Sequence, residues 1–256
     1  MISSPPALQL YTLRDQLAAG RPPVLRRVAG FGYGAVEPYD VQTDPDRLRA
    51  ELDEAGLAVC SVHARALGDS ADALLRGVLT VGGGTVIVPS VPRERFADAG
   101  RVADLARELN EAAARAADYG LRLGYHNHEF ELAADIGGRT GLEVLADALD
   151  PAVILEVDTY WAAVGGQDVP ALLGRLGDRV RYLHVKDGPV NRPDPQTALG
   201  RGRMPVAAIL AACPSAEWHV VELDSCATDM LTAVGDSLAW LAEHNLAAPV
   251  RSGAGS

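Results

Sequence analysis

Short apolar runs alternate with longer amphipathic segments along the whole chain. Residues 7–11 read as a first strand, and residues 22–30 as a helix closed by glycine. A second strand over 35–39 leads to a helix over 44–55, and a third over 58–63 to a helix near 69–79. The fourth strand, 85–89, precedes a long Ala/Arg-rich helix over 95–119, and the fifth, 122–128, a helix near 140–149. Two β-rich runs, opening at Val153 and closing at Asp187, flank a helical segment and form a β-α-β unit. A short helix over 206–212, an eighth strand over 217–224 and a closing helix over 229–244 complete the pattern. Eight strands each followed by a helix, with no shift in composition, predict an α/β fold, a single (β/α)8 TIM barrel over 1–246. A doubly wound open sheet is the competing topology, and residues 247–256 read as a C-terminal tail.

The 256 residues, 48% of them apolar, suffice for one large core. A net charge of −11 argues against nucleic acid, whose phosphates call for a basic surface. Three cysteines without CxxC spacing point to reduced, structural thiols. The N-terminus lacks the basic-then-apolar pattern of a signal peptide, and no apolar run is long enough to span a membrane. The expectation is a cytoplasmic protein with a small-molecule partner, no nucleic acid and no membrane; a homo-oligomer stays open.

Buried parallel strands are normally apolar, so ionisable groups on them need a reason. Here they collect at strand C-termini, where barrels of this kind carry their active sites. Strand alternation puts Glu156 and Asp158 on one face, and His184 and Lys186 on one face. Of six histidines, His63, His126, His128 and His184 fall at strand ends, whereas His219 and His244 read as ordinary. Asp158, His184 and Glu222 come from consecutive strands at one level, a mixed set suited to Mn²⁺, Co²⁺, Zn²⁺ or Mg²⁺. Taken singly, each is as well explained by a salt bridge. Lys186 would neutralise a carboxylate, stabilise an oxyanion, or pair with Glu156. Tyr160 and Trp161 offer either a stacking wall for a sugar ring or core packing. Gly82-Gly83-Gly84 reads as a turn. Gly200-Arg201-Gly202-Arg203, on the active face, reads as a solvated loop before an anion cradle.

Five motifs in order, Gln9-Leu10-Tyr11-Thr12-Leu13-Arg14, Tyr125-His126-Asn127-His128, Glu156-Val157-Asp158-Thr159-Tyr160-Trp161, Leu183-His184-Val185-Lys186-Asp187-Gly188 and Val220-Val221-Glu222-Leu223-Asp224, carry a resemblance. The chain resembles the sugar phosphate isomerase/epimerase family of the xylose-isomerase-like barrels, which includes inosose dehydratases and ketose 3-epimerases. The resemblance implies one divalent metal ion held from strands 5 to 8, with Asp158, His184 and Glu222 matching three ligands. Strand 5 departs from the epimerase pattern, carrying histidines where those enzymes have a glutamate; inosose dehydratases are similarly histidine-rich there. His126 is the expected fourth ligand with His128 near the substrate, although a register slipped by one presents Tyr125 and Asn127 instead.

The implied chemistry is proton abstraction next to a sugar carbonyl, with a metal-stabilised enediolate. Glu222 is the candidate base, His128 or His63 its partner, and Lys186 the oxyanion stabiliser; Glu37, Tyr11, Trp161 and Glu156 are candidate substrate contacts. A dehydratase or lyase acting on a keto-cyclitol or 3-keto-sugar is the alternative, and a non-catalytic sugar-binding barrel the third reading.

Overall fold

The structure is a computed structural model and describes residues 6–68 and 71–247. Nine parallel strand segments are ordered β3-β2-β1-β9-β8-β7-β6-β5-β4. They are β1 Pro6–Gln9, β2 Ala35–Glu37, β3 Ala58–Val59, β4 Val62–His63, β5 Thr85–Val88, β6 Arg122–His126, β7 Ile154–Asp158, β8 Val180–Val185 and β9 Trp218–Val221. The sequence-predicted third strand is thus divided at Cys60 and Ser61. The division is small, because the Cys60 amide still donates to Val36 O (3.0 Å) and the His63 amide to Pro38 O (2.9 Å). With β3 on β2 and β4 on β5, the ring of eight barrel strands closes through the chain itself.

Several predicted strands run past the hydrogen-bonded ladder. β1 passes at once into a 3-10 turn over Leu10–Leu13, which takes Tyr11 off the strand. β6 stops at His126, and His128 instead precedes a short helix, Glu129–Ala133, that the apolar pattern did not disclose. Tyr160 and Trp161 lie in the helix Thr159–Val164, not on the strand before it. Asp158 starts that helix: its Oδ1 accepts from the Trp161 amide at 2.8 Å, a capping bond that satisfies one of the first free N–H groups. Residues 69–70 of the third predicted helix, and 248–256 of the predicted tail, lie outside the described residues. Ala247 packs against the core.

Inward-facing residues recur every second position, so the barrel interior is built in layers. The lowest is an apolar plug of Ala7, Ala35, Cys60, Ile87, Ile154, Tyr182 and Val220. Gly124 belongs to the same level; a Cβ there would come within 2.5 Å of Ile87 and 2.9 Å of Ile154, so the plug is tight enough to require glycine. Two residues further along β6, β7 and β8 stand His126, Glu156 and His184, and two further again on β7 Asp158, with Lys186 just past the end of β8. The larger hydrophobic core lies outside this ring, between strands and helices. Among the described residues no helix is long and apolar enough to cross a membrane.

Candidate active site

Five carboxylates, three imidazoles and one ammonium meet above the plug. In the middle layer Glu156 Oε2 lies 2.6 Å from His63 Nε2, 3.1 Å from His126 Nδ1 and 3.1 Å from His184 Nε2. Glu37 enters from β2 and shares His184 Nε2 at 2.7 Å. It is held there by Gln9, whose side chain donates at 2.6 Å, and by the Ser61 hydroxyl at 2.5 Å. In the upper layer Lys186 Nζ lies 2.8 Å from Asp158, 2.7 Å from Glu222 and 2.6 Å from Asp224. His184 joins the layers, its Nδ1 standing 2.7 Å from Glu222 Oε2. Lys186 therefore pairs with Asp158, Glu222 and Asp224, not with Glu156 as one reading of the sequence had it.

The field of this cluster separates its groups. Burial works against the charge of Lys186, but Asp158, Asp224 and Glu222 outweigh it and hold the ammonium well above its usual range. Burial likewise opposes the Glu222 carboxylate, which Lys186 and His184 nevertheless keep well below the usual carboxylate range. Asp158 goes the other way: burial lifts it to about 6 despite the pull of Lys186. In the middle layer, burial and then the charge of Glu156 raise Glu37, whereas His184 and His63 overcome burial and hold Glu156 low. Two carboxylates on one imidazole nitrogen thus diverge, Glu37 shifted up and Glu156 down. Burial and then His184 keep His126 neutral, and burial and then Lys186 lower His128 to about 4.

His126, Asp158, His184 and Glu222 each bring one ligand atom within 4.8 Å of the others. Register explains the match between Asp158 and His184, which sit directly opposite on β7 and β8. The alternative strand-5 register does not occur. Tyr125 points outward, its hydroxyl donating to Glu131 at 2.8 Å, and Asn127 is used up on the Asp158 backbone, accepting from its N–H at 3.0 Å.

A cavity of about 510 Å³ opens over this cluster, a size that suits a small metabolite. His63, His126, His128, Glu222 and Asp224 form its floor and one side, and Tyr11 and Tyr39, edge to face at 5.3 Å, another. Glu37 and Glu156, expected to touch substrate, are absent from the lining and lie fully buried beneath it. Trp161 lines a smaller neighbouring cavity of about 280 Å³, with Lys186 Nζ 5.5 Å and Arg192 Cζ 5.1 Å from its ring centre. Sequence reasoning missed Arg192 and Gln196 here; Gln196 both donates to Asp224 Oδ2 (3.1 Å) and accepts from its amide (2.8 Å). Neither stands in a periodic segment, so no pattern in the sequence marks them.

The donor set suits a hard or borderline divalent ion: imidazole nitrogens with carboxylate oxygens and no thiolate. The excess of carboxylates over fixed cations, and the buried Glu156 Oε1 that has no hydrogen-bond partner, fit such an ion as well.

A family model described as xylose isomerase-like TIM barrel matches residues 25–244. The chain belongs to the xylose isomerase-like TIM barrel family. It is similar to an inosose dehydratase of Geobacillus kaustophilus (strain HTA426), 29% identical over 195 residues. That match covers 64% of this chain and 61% of the relative, so the chain spans about three fifths of the relative's length. Among solved structures, a sugar phosphate isomerase/epimerase from Parabacteroides distasonis ATCC 8503 superposes with a TM-score of 0.80 at 22% identity, covering 94% of each chain. A probable 3-DHS dehydratase from Bacillus anthracis superposes with a TM-score of 0.73 at 11% identity, covering 93% of this chain and 98% of the other. At these identities the two superpositions establish the shared barrel.

The loop after β8 resolves the Gly200-Arg201-Gly202-Arg203 motif of this xylose isomerase-like barrel. The Asp187 carboxylate accepts from the amides of Gly188 (2.8 Å), Gly200 (2.9 Å), Gly202 (3.0 Å) and Met204 (3.0 Å). A Cβ at 202 would sit 2.1 Å from Asp187 Oδ1, which explains that glycine. Arg201 and Arg203 point to solvent.

Proposed function

We propose that this barrel is a divalent-metal-dependent isomerase or epimerase of a sugar or sugar derivative that removes a proton next to a carbonyl. The observation that carries the reading is the convergence of His126, Asp158, His184 and Glu222 under a cavity of about 510 Å³. We assign these four residues to the ion. A divalent ion held by these residues would supply Lewis-acid stabilisation of the negative charge that develops on the substrate oxygen.

The remaining work falls to groups that line the two cavities or lie buried beside them, as Lys186 does. Glu222 is an ionised carboxylate at the floor and takes the proton from carbon. His128, a neutral imidazole in the wall whose buried Nδ1 has no hydrogen-bond partner, returns or relays it; His63 is the third candidate for that exchange. Lys186 offsets negative charge that builds on the substrate oxygen. Tyr11 and Trp161 give flat apolar surface for a sugar ring. Glu37 and Glu156 act beneath them by fixing the imidazoles.

A dehydratase or lyase acting on a keto-cyclitol or 3-keto-sugar is the second reading. It is favoured by the likeness to an inosose dehydratase and by the histidine at the end of β6.

Metal content before and after Asp158→Ala/Glu222→Ala, followed by a screen of keto-sugars and keto-cyclitols in deuterated water, tests both. About one ion per chain in wild type, with deuterium entering a sugar, supports isomerisation, and loss of the ion in a folded double variant assigns it to the upper set. An enone absorbance instead supports elimination. Metal bound by neither protein after reconstitution sinks the metal mechanism, and equal metal in both moves the resting ion off the Asp158–Glu222 pair.

A further inference from the structure

We propose that the barrel has a second cation position, one layer deeper, formed by His63, His126, His184 and Glu156 on the opposite edges of the same two central imidazoles. The inference rests on reading this barrel as a metal centre and goes beyond it by locating the resting ion. These four residues also bring one ligand atom each within 4.8 Å of one another.

The geometry divides ring nitrogens between two levels. His184 turns Nδ1 up to Glu222 (2.7 Å) and Nε2 down to Glu37 (2.7 Å) and Glu156 (3.1 Å). His126 turns Nε2 toward Asp158 (3.7 Å) and Nδ1 down to Glu156 (3.1 Å). His63, from β4, adds its Nε2 at the lower level alone, 2.6 Å from Glu156 and 3.2 Å from Glu37. Three imidazole nitrogens therefore surround a single carboxylate oxygen, Glu156 Oε2, a donor set of three histidines and one carboxylate that suits tetrahedral Zn²⁺. Ligands about 2.0–2.1 Å from a tetrahedral ion lie about 3.3 Å apart, so each nitrogen need draw away from Glu156 Oε2 by less than about 1 Å. Independently, Glu156 Oε1 is fully buried without a hydrogen-bond partner, so this carboxylate is incompletely satisfied by protein alone.

Charge decides which level is preferred. Asp158 and Glu222 already share the Lys186 ammonium at 2.8 and 2.7 Å, and an incoming cation must compete with it. Among the described residues, every ion-pair partner of Glu156 and Glu37 is a histidine, which gives up its proton to a metal. An imidazole that ligates through one nitrogen keeps a proton on the other, so an ion in the lower position leaves His184 Nδ1–H donating to Glu222. Occupying both levels together would strip both rings of their last proton, so one ion at a time is the cheaper state. His63 is thereby a ligand and leaves the list of acid-base candidates.

The test uses Zn²⁺ on apo-protein. Wild type and Asp158→Asn/Glu222→Gln are each expected to bind about one Zn²⁺ per chain, and adding His63→Ala to the double variant weakens Zn²⁺ binding by about 100-fold or more. A folded Asp158→Asn/Glu222→Gln protein that binds no Zn²⁺ overturns the proposal and leaves the upper set as the site. Should the double variant not fold, imidazole ¹⁵N spectra of wild type decide. His63 Nε2, used only by the lower position, shifts when Zn²⁺ binds if the proposal holds; an unmoved His63 beside a bound ion overturns it. Failure of wild type to bind Zn²⁺, Mn²⁺, Co²⁺ or Mg²⁺ overturns both this inference and the proposed function.

Discussion

Tyr182 and Lys186 stand four residues apart on and just beyond β8, on the same inward face, and both are fully buried. Tyr182 belongs to the plug. Its hydroxyl is satisfied locally, donating to Cys60 O at 3.3 Å and meeting Thr85 and Arg122 at the barrel's lower rim. Its ring packs among the apolar side chains of the plug, with the Arg122 guanidinium 5.9 Å from its centre. Lys186 buries a full ammonium, tolerable because three carboxylates close on it. The difference teaches that one strand pattern builds two kinds of interior. The plug is stabilised by packing and tolerates no change of volume. The upper layers hold charges whose mutual compensation must be kept, while a substrate or ion is free to alter it. Mutations at the two levels should therefore separate stability from activity.

The largest separation is expected at the top. In Asp158→Ala/Glu222→Ala, turnover of any keto-sugar found in the deuterium screen should fall by about 10³-fold or more, while circular dichroism retains the barrel. At the bottom the pattern reverses. Tyr182→Ala should cost about 3–5 kcal/mol in urea unfolding while leaving metal binding by the folded fraction intact.

A subtler effect lies between the layers and the outer helices. Buried Glu131 accepts from Tyr125 and from the His128 amide, and burial raises its carboxyl from 4.5 to about 7. A raised acid binds its proton more tightly folded than unfolded. Its contribution is therefore complete below about pH 4.5 and fades as pH climbs through about 7, by about 3 kcal/mol at most. Glu131→Gln should flatten the fall in stability over that window, measured by chemical unfolding at a series of pH values. The smallest change is expected at the rim: Arg203→Ala, on the exposed side of the β8 loop, should alter stability by less than about 0.5 kcal/mol and leave turnover unchanged. A large loss of turnover there would mean that the loop meets the substrate.

The barrel and much of its chemistry were legible because both depend on period. Alternation along β7 and β8 is enough to bring Asp158, His184 and Lys186 to one face, and the strand order brings Glu222 beside them. What escaped depends on contacts distant in sequence. The depth of Glu156 and Glu37 is invisible in a pattern that tells faces apart but not levels. The helix that carries His128 off the strand is five residues long and held by Glu131, too short for a periodic signature. The partners of Lys186 required knowing that β7 and β9 flank β8.

Asp187 has a consequence for selectivity. Four converging backbone amides are what a phosphate or sulfate would seek on this face of a barrel, and the chain supplies its own carboxylate to them. The loop is thus a lock already holding its key. A substrate's charged tail would gain no grip there, and under the proposed function recognition would fall to the aromatic walls and the ionised floor of the cavity.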